Sequence, residues 1–290
     1  MEEEKVISTQ DCLTPGSTAH ELCDKVMPGK AELSKTKMIS LAIAAGAFIA
    51  FGAQVSLTVM TGDSNMGWGF TKLIGAMTFA TGLMLVTLTG AELFTGNVMM
   101  TFALLEKKIG FMQLLRNWTL VYTFNFIGSI LLAALVFGAG MGHNGGDAVG
   151  VTAMQTAYGK LHLSFTEAFF RGILCNWLVC LAIFMASTSK RVIGKIFAIF
   201  FPIMTFVASG YEHSVANMFF IPNGILMKHL PSVVAASGFT PDQLASMTWK
   251  AFFLNNLIPV TLGNVVGAFV FVVLLFWTAY LREEHRHHHH

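Results

Sequence analysis

Charge is what this sequence has least of. Asp, Glu, Lys and Arg together make up 12% of its 290 residues, against about 25% in a soluble domain. Apolar types make up 54%, and the mean hydropathy is +0.63. That shortage argues against an ordinary water-soluble globule and puts the chain among membrane proteins. The formal net charge of +2 is too small to suggest a nucleic-acid partner. Cysteine is scarce as well. Cys12, Cys23, Cys175 and Cys180 have neither zinc-ligand nor CxxC spacing, and the last two lie inside an apolar run. They read as small buried hydrophobes, so no metal and no cofactor is expected. No signal peptide opens the chain, because "MEEEKVISTQDC" is acidic and polar. The closing His287 to His290 look like the remains of a purification tag.

What the sequence does have is long apolar blocks. A spanning helix needs about 20 mostly apolar residues. Six blocks qualify, near 38–60, 72–105, 114–140, 163–187, 192–227 and 249–281. The second and fifth are too long for one straight span, and each holds a polar, glycine-bearing interruption: "TGAELFTGN" (89–97) and "SGYEHSVAN" (209–217). Thirteen Lys and Arg fall in the N-terminal tail, loops 106–116 and 188–195, and the C-terminal tail, while Lys72, Lys160, Lys228 and Lys250 lie on the opposite side. The positive-inside rule then puts both termini in the cytoplasm, with an even number of spans. The expected division is a cytoplasmic segment 1–37, a six-helix membrane domain 38–281 and a tail 282–290. The weakly amphipathic "TAHELCDKVMPGKAELSK" before the first span reads either as a short helix on the membrane surface or as a plain linker.

The two interruptions repeat each other. Gly90, Glu92 and Asn97 match Gly210, Glu212 and Asn217 at a spacing of 120 positions, a G-x-E-x-x-x-x-N pattern. Asn117, Asn125 and Gly128 match Asn256, Asn264 and Gly267 at 139, and Gly46 aligns loosely with Gly172. Three spans per half force the halves into opposite topology, and paired broken helices in such inverted repeats point to the transport site. In lipid a helix breaks only where protein or a water-filled cavity covers the freed backbone. The broken ends carry amides that suit an anion. The bland alternative is that the glycines merely kink tightly packed helices.

These residues resemble the formate–nitrite transporter family over essentially all of 30–284. The marks are "GAELFTGN", "GILCNWLVCLAI" (172–183), "FVASGYEHSVANMFFIPNG" (206–224) and "NLIPVTLGNVVG" (256–267). The resemblance implies an all-α channel of six membrane helices, an inverted 3+3 repeat with an aquaporin-like arrangement, assembled as a homopentamer in the inner membrane. It implies a pore in each subunit for formate, or in the alternative reading for nitrite or other small monovalent anions, with protons as co-travellers and lipid as surroundings.

It also implies roles. His213 is the central pore residue, with Thr95 as its hydrogen-bond partner and Asn176 and Asn264 beside the pore. An anion at the bilayer centre is costly, and imidazole can either attract formate as a cation or protonate it. Phe79, Leu83, Phe94, Val179 and Phe206 form apolar constrictions. Leu93, Phe94 and Thr95 form a gating loop, and Lys30 and Lys160 enrich anions at the two mouths. Glu92 and Glu212 read as structural, holding the helix breaks through backbone amides, since a carboxylate would repel the anion. Arg171 departs from the family pattern, and an i,i+4 ion pair with Glu167 is its plain explanation. Segment 1–29 matches loosely, so pH-dependent plugging by it is a carried-over expectation.

Rival readings differ in class. A nitrite or broad small-anion channel stays within the family. A neutral-solute pore like an aquaporin would need paired Asn-Pro-Ala motifs, which the sequence lacks. Glu212, His213 and Ser214 suggest a hydrolase only superficially, because adjacent residues point apart and relays meet through space. No enzyme is expected.

Overall fold

The computed structural model describes residues 11–62 and 65–282. The acidic opening and the tag histidines lie outside the described residues. Among the described residues the chain is helical. Helix α1, Pro15–Glu21, is capped by Thr14 and continues through Leu22–Val26 to Met27–Ala31. It is followed by α2 (Lys35–Val59), α3 (Trp68–Thr89), α4 (Phe94–Leu105), α5 (Phe111–Gly138) and α6 (Ala148–Leu161). The rest of the chain forms α7 (Phe165–Thr188), α8 (Val192–Ala208), α9 (Ser214–Met227), α10 (Pro231–Ser237), α11 (Pro241–Ser246) and α12 (Trp249–Leu281). By length and composition α2, α3, α5, α7 and α12 can each cross a membrane, while α4, α8 and α9 are shorter apolar helices. The expected interruptions separate α3 from α4 and α8 from α9.

The segment before the first span is a helix, not a plain linker, and it buries Leu22, Cys23, Met27 and Ala31. Burial pushes the Cys23 thiol up to about 12, so it stays protonated and unreactive.

The two halves superpose in their contacts. Helix α2 packs on α5 as α7 packs on α12, and α3 lies against α8. Glycines set the closeness of the first two pairs. A Cβ on Gly46 would stand 2.0 Å from the Asn125 carbonyl oxygen, and one on Gly128 2.0 Å from that of Ile43. In the other half, a Cβ on Gly263 or Gly267 would stand 2.2 or 2.3 Å from the carbonyl oxygen of Phe169 or Ile173. Backbone cannot yield as a flexible side chain can, so Gly128→Ala and Gly267→Ala are each expected to cost about 1–3 kcal/mol or more. Thermal unfolding in detergent measures it.

Hydrogen bonds correct one alignment. Glu92 N–H donates to Leu41 O at 3.1 Å, and Glu212 N–H to Arg171 O at 3.2 Å. The first helices of each half therefore correspond at 130 positions, with Ser34 and Ser164 as matching N-caps. Gly46 corresponds to Asn176 and Ala42 to Gly172, one turn away from the sequence alignment. Residues one turn apart share a helix face, which is why the pattern alone misplaced the register. The same spacing matches the end of the N-terminal helical segment to the end of α6, an element the apolar blocks did not reveal.

Candidate functional site

Each break is built from the same parts. Gly90 and Gly210 both adopt φ of +76°, where a side chain would be strained. Ala91 N–H returns to Val86 O at 3.0 Å, and Tyr211 N–H to Phe206 O at 3.1 Å. An asparagine from the opposing long helix then satisfies the freed backbone. Asn125 Oδ1 accepts from Phe94 N–H at 2.9 Å, and its Nδ2 donates to Ala42 O and Glu92 O at 2.7 and 2.9 Å. Asn264 does the same for Ser214 N–H at 2.8 Å, and for Gly172 O and Glu212 O at 2.8 and 3.0 Å. Asn264 is thus a clamp on the break, in contrast to the expected pore-side group. Apolar side chains could not fill this role in lipid, because the freed N–H and C=O would go unpaired.

The carboxylates correct a second expectation. Glu92 and Glu212 do hold the breaks, but through side chains and not through backbone amides. Glu92 Oε1 accepts from Lys30 Nζ and its Oε2 from Asn97 Nδ2, both at 2.7 Å. Glu212 Oε1 accepts from Lys160 Nζ at 2.7 Å, and its Oε2 from Asn217 Nδ2 and Asn256 Nδ2 at 2.5 and 3.3 Å. Asn117 and Asn256 close the two networks by accepting from Asn97 and Asn217 at 2.9 and 2.8 Å. Lys30 and Lys160 are therefore neutralised partners, not free mouth charges. Burying two charges is tolerable only when they are paired and hydrogen-bonded. The repeated asparagines and glutamates were visible in the sequence, but their contacts with one another were not.

Chemistry sits where the halves differ. Leu93 occupies the position matching His213, Val215 the position matching Thr95, and Gly46 the position matching Asn176. Thr95 Oγ1 lies 3.1 Å from His213 Nε2. His213 also caps α9: Ala216 N–H donates to its Nδ1 at 3.0 Å. An Nδ1 that accepts leaves the proton of the neutral ring on Nε2, so Nε2–H donates to Thr95 Oγ1. Asn176 Nδ2 donates to the backbone oxygens of Thr95 and Asn264 at 3.1 and 2.7 Å, tying the first break to the helix that clamps the second.

Two cavities approach this pair from opposite ends. The larger, about 370 Å³, is lined by His213, Phe79, Phe206, Lys160, Lys72 and Arg171 among others. The smaller, about 170 Å³, is lined by Leu93, Val86, Ile183, Lys30 and Asn97 among others. The matched positions Leu93 and His213 thus face one cavity each. Phe79 and Phe206 meet edge to face at 5.6 Å, and Phe206 stacks on the His213 ring at 5.9 Å. Leu83 is buried on the α3 face that carries Phe79 and Val86, and Val179 lies one turn from Ile183 on α7. Leu83 thus sits between residues that line the two cavities. Phe94 does not line either one. Its ring packs edge-on against Trp118 and Tyr122 at 5.8 and 4.9 Å, so at this break Leu93, not Phe94, faces the cavity.

Two further expectations resolve. Among the described residues no ion pair joins Arg171 to Glu167; an Arg171 guanidinium N–H donates to Gly210 O at 3.4 Å. The adjacent Glu212, His213 and Ser214 do not form a relay. The Glu212 carboxylate is bound elsewhere, both His213 nitrogens are engaged, and Ser214 Oγ has no partner among the described residues.

Comparison with known proteins agrees with this architecture. The family model "Formate/nitrite transporter" matches residues 17–278. A "Probable formate transporter" of Methanothermobacter thermautotrophicus is 42% identical over 286 residues, covering 93% of this chain and 98% of the relative. The "Formate channel FocA" of Escherichia coli K12 is 38% identical over 279 residues, covering 96% and 98%. A solved "Pentameric formate channel with formate bound" superposes with a TM-score of 0.78 at 39% identity, covering 85% of this chain and 98% of that one. An "FNT family ion channel" gives 0.74 at 29% identity, covering 91% and 98%.

Proposed function

The chain belongs to the formate/nitrite transporter family, and from that premise we propose that it conducts formate across the inner membrane as a homopentamer, with proton-linked passage at His213. Both termini are then cytoplasmic, as the Lys and Arg distribution suggests. The observation that carries this reading is the asymmetry of the breaks. Everything that builds them is duplicated, while His213 and Thr95 are not.

The ring offers a formate ion the Nε2–H that Thr95 now accepts. It stands at the N-terminus of α9, whose helix dipole favours negative charge. Proton transfer to the ion needs the ring doubly protonated, since the neutral ring would be left as imidazolate. The added proton must enter at Nδ1, which displaces the Ala216 N–H cap. Transfer from Nε2 then gives formic acid and leaves a neutral ring protonated on Nδ1; uptake of a proton at Nε2 and loss of the Nδ1 proton, each exchanged with water, restore the starting tautomer and let the Ala216 N–H cap return. Formic acid crosses the apolar narrowing of Phe79, Leu83, Val179 and Phe206 at a far smaller desolvation cost than its anion. The loop Leu93, Phe94 and Thr95 is the gate in this reading, because moving it moves both the cavity-lining Leu93 and the acceptor of Nε2–H.

Uptake of labelled formate into proteoliposomes, with nitrite as competitor, tests the substrate. Formate flux that excess nitrite reduces only weakly is expected. Equal competition would favour the broad-anion reading, and absent flux would reject both.

A further inference from the structure

We propose that Arg171 and Lys72 form a carboxylate-binding subsite in the larger cavity, outside the Phe79–Phe206 narrowing, with room for organic anions bigger than the one that passes. This rests on the channel reading of the same pore. The lysine and glutamate deepest in that cavity, Lys160 and Glu212, neutralise each other at 2.7 Å. Arg171 and Lys72 line the same cavity, and among the described residues neither pairs with a carboxylate. The Arg171 guanidinium spends one donor on Gly210 O and has others left for a planar, two-oxygen acceptor. Ser56 adds a hydroxyl that is fully buried, lines the cavity and has no partner among the described residues.

The walls are apolar: Phe79, Phe206, Val207 and Phe220. A volume of about 370 Å³ is many times what formate fills, and cavities of about 300 Å³ and upward hold ligands far larger. Two cations without a carboxylate partner beside an apolar wall suit a short-chain carboxylate, its head on Arg171 and Lys72, the latter now over the Trp68 ring at 5.8 Å, and its tail on the phenylalanines. The opposite cavity has no such pair, because its Lys30 is bound to Glu92 at 2.7 Å. Such an anion, too wide for the narrowing, stops at the subsite and blocks formate from one face only.

The probe is propane-1-sulfonate, which stays ionised and does not cross lipid. It is added to either face of proteoliposomes during formate flux. Half-maximal block is expected at a concentration at least tenfold lower on the α6-bearing face than on the other. Arg171→Leu should weaken that block at least tenfold, and Arg171→Lys by less. Lys72→Gln, on another helix, should weaken it in the same direction and reads the subsite if Arg171→Leu does not assemble. Equal potency from both faces, or unchanged potency in both Arg171→Leu and Lys72→Gln, overturns the subsite while wild-type formate flux stands. Absent wild-type flux would instead remove the channel reading. Calorimetric titration of purified protein with the same sulfonate would then decide the subsite, saturable binding lost in Arg171→Leu supporting it and no binding overturning it.

Discussion

Asn264→Leu is expected to unfold the second break. The substitution keeps the side chain's bulk but orphans Ser214 N–H and Glu212 C=O at the centre of the molecule. Each buried unpaired group costs about 1–3 kcal/mol, so the loss is about 2–6 kcal/mol. Asn125→Leu removes the mirrored bonds to Phe94 N–H and Glu92 C=O and should cost about as much. Thermal unfolding of the purified protein in detergent measures both. A loss in one half without the other would mean that the repeated contacts are not equivalent in energy. Unaltered melting in both would mean that water or backbone rearrangement satisfies the breaks without the asparagines.

The second large effect concerns Lys160. Its side chain is 17% exposed and that of its partner Glu212 only 4%. Lys160→Met strands a buried carboxylate, a change that typically costs about 3–5 kcal/mol. Adding Glu212→Gln should recover much of this, because the amide is neutral and still reaches Asn217 and Asn256. A double mutant as unstable as the single would show that the lysine matters for packing, including its place over the Phe220 ring at 5.0 Å, and not for charge balance. Stability of the two variants across denaturing temperatures separates these outcomes.

Much of this framework was legible in the chain. The interruptions at 89–97 and 209–217 fall where α3 and α8 end, and the apolar blocks match the long helices closely. Composition and period suffice for that, because lipid forbids unpaired backbone. The repeated glycines and asparagines were legible as a pattern but not as contacts. A hydrogen bond from Asn264 to residues 50 and 92 positions away leaves no local signal. For the same reason the carboxylates were given backbone partners, when side chains bind them, from two elements at Glu92 and from three at Glu212. The register of the first repeat helices slipped by a turn because small residues recur on one face. Helix α6 was missed because, at 14 residues, it is too short for a span. The motif singled out His213 as a candidate. Its double engagement, capping α9 through Nδ1 and meeting Thr95 through Nε2, took coordinates.

Formate flux under imposed pH gradients, comparing wild type with His213→Asn, tests the central claim most directly. Asparagine caps a helix well, so α9 and the assembly should persist while the Nε2–H donor and its proton are gone. Wild-type flux should rise when the formate-bearing side is acidified, and the variant should lose that response. An identical pH response in the two proteins would contradict the account.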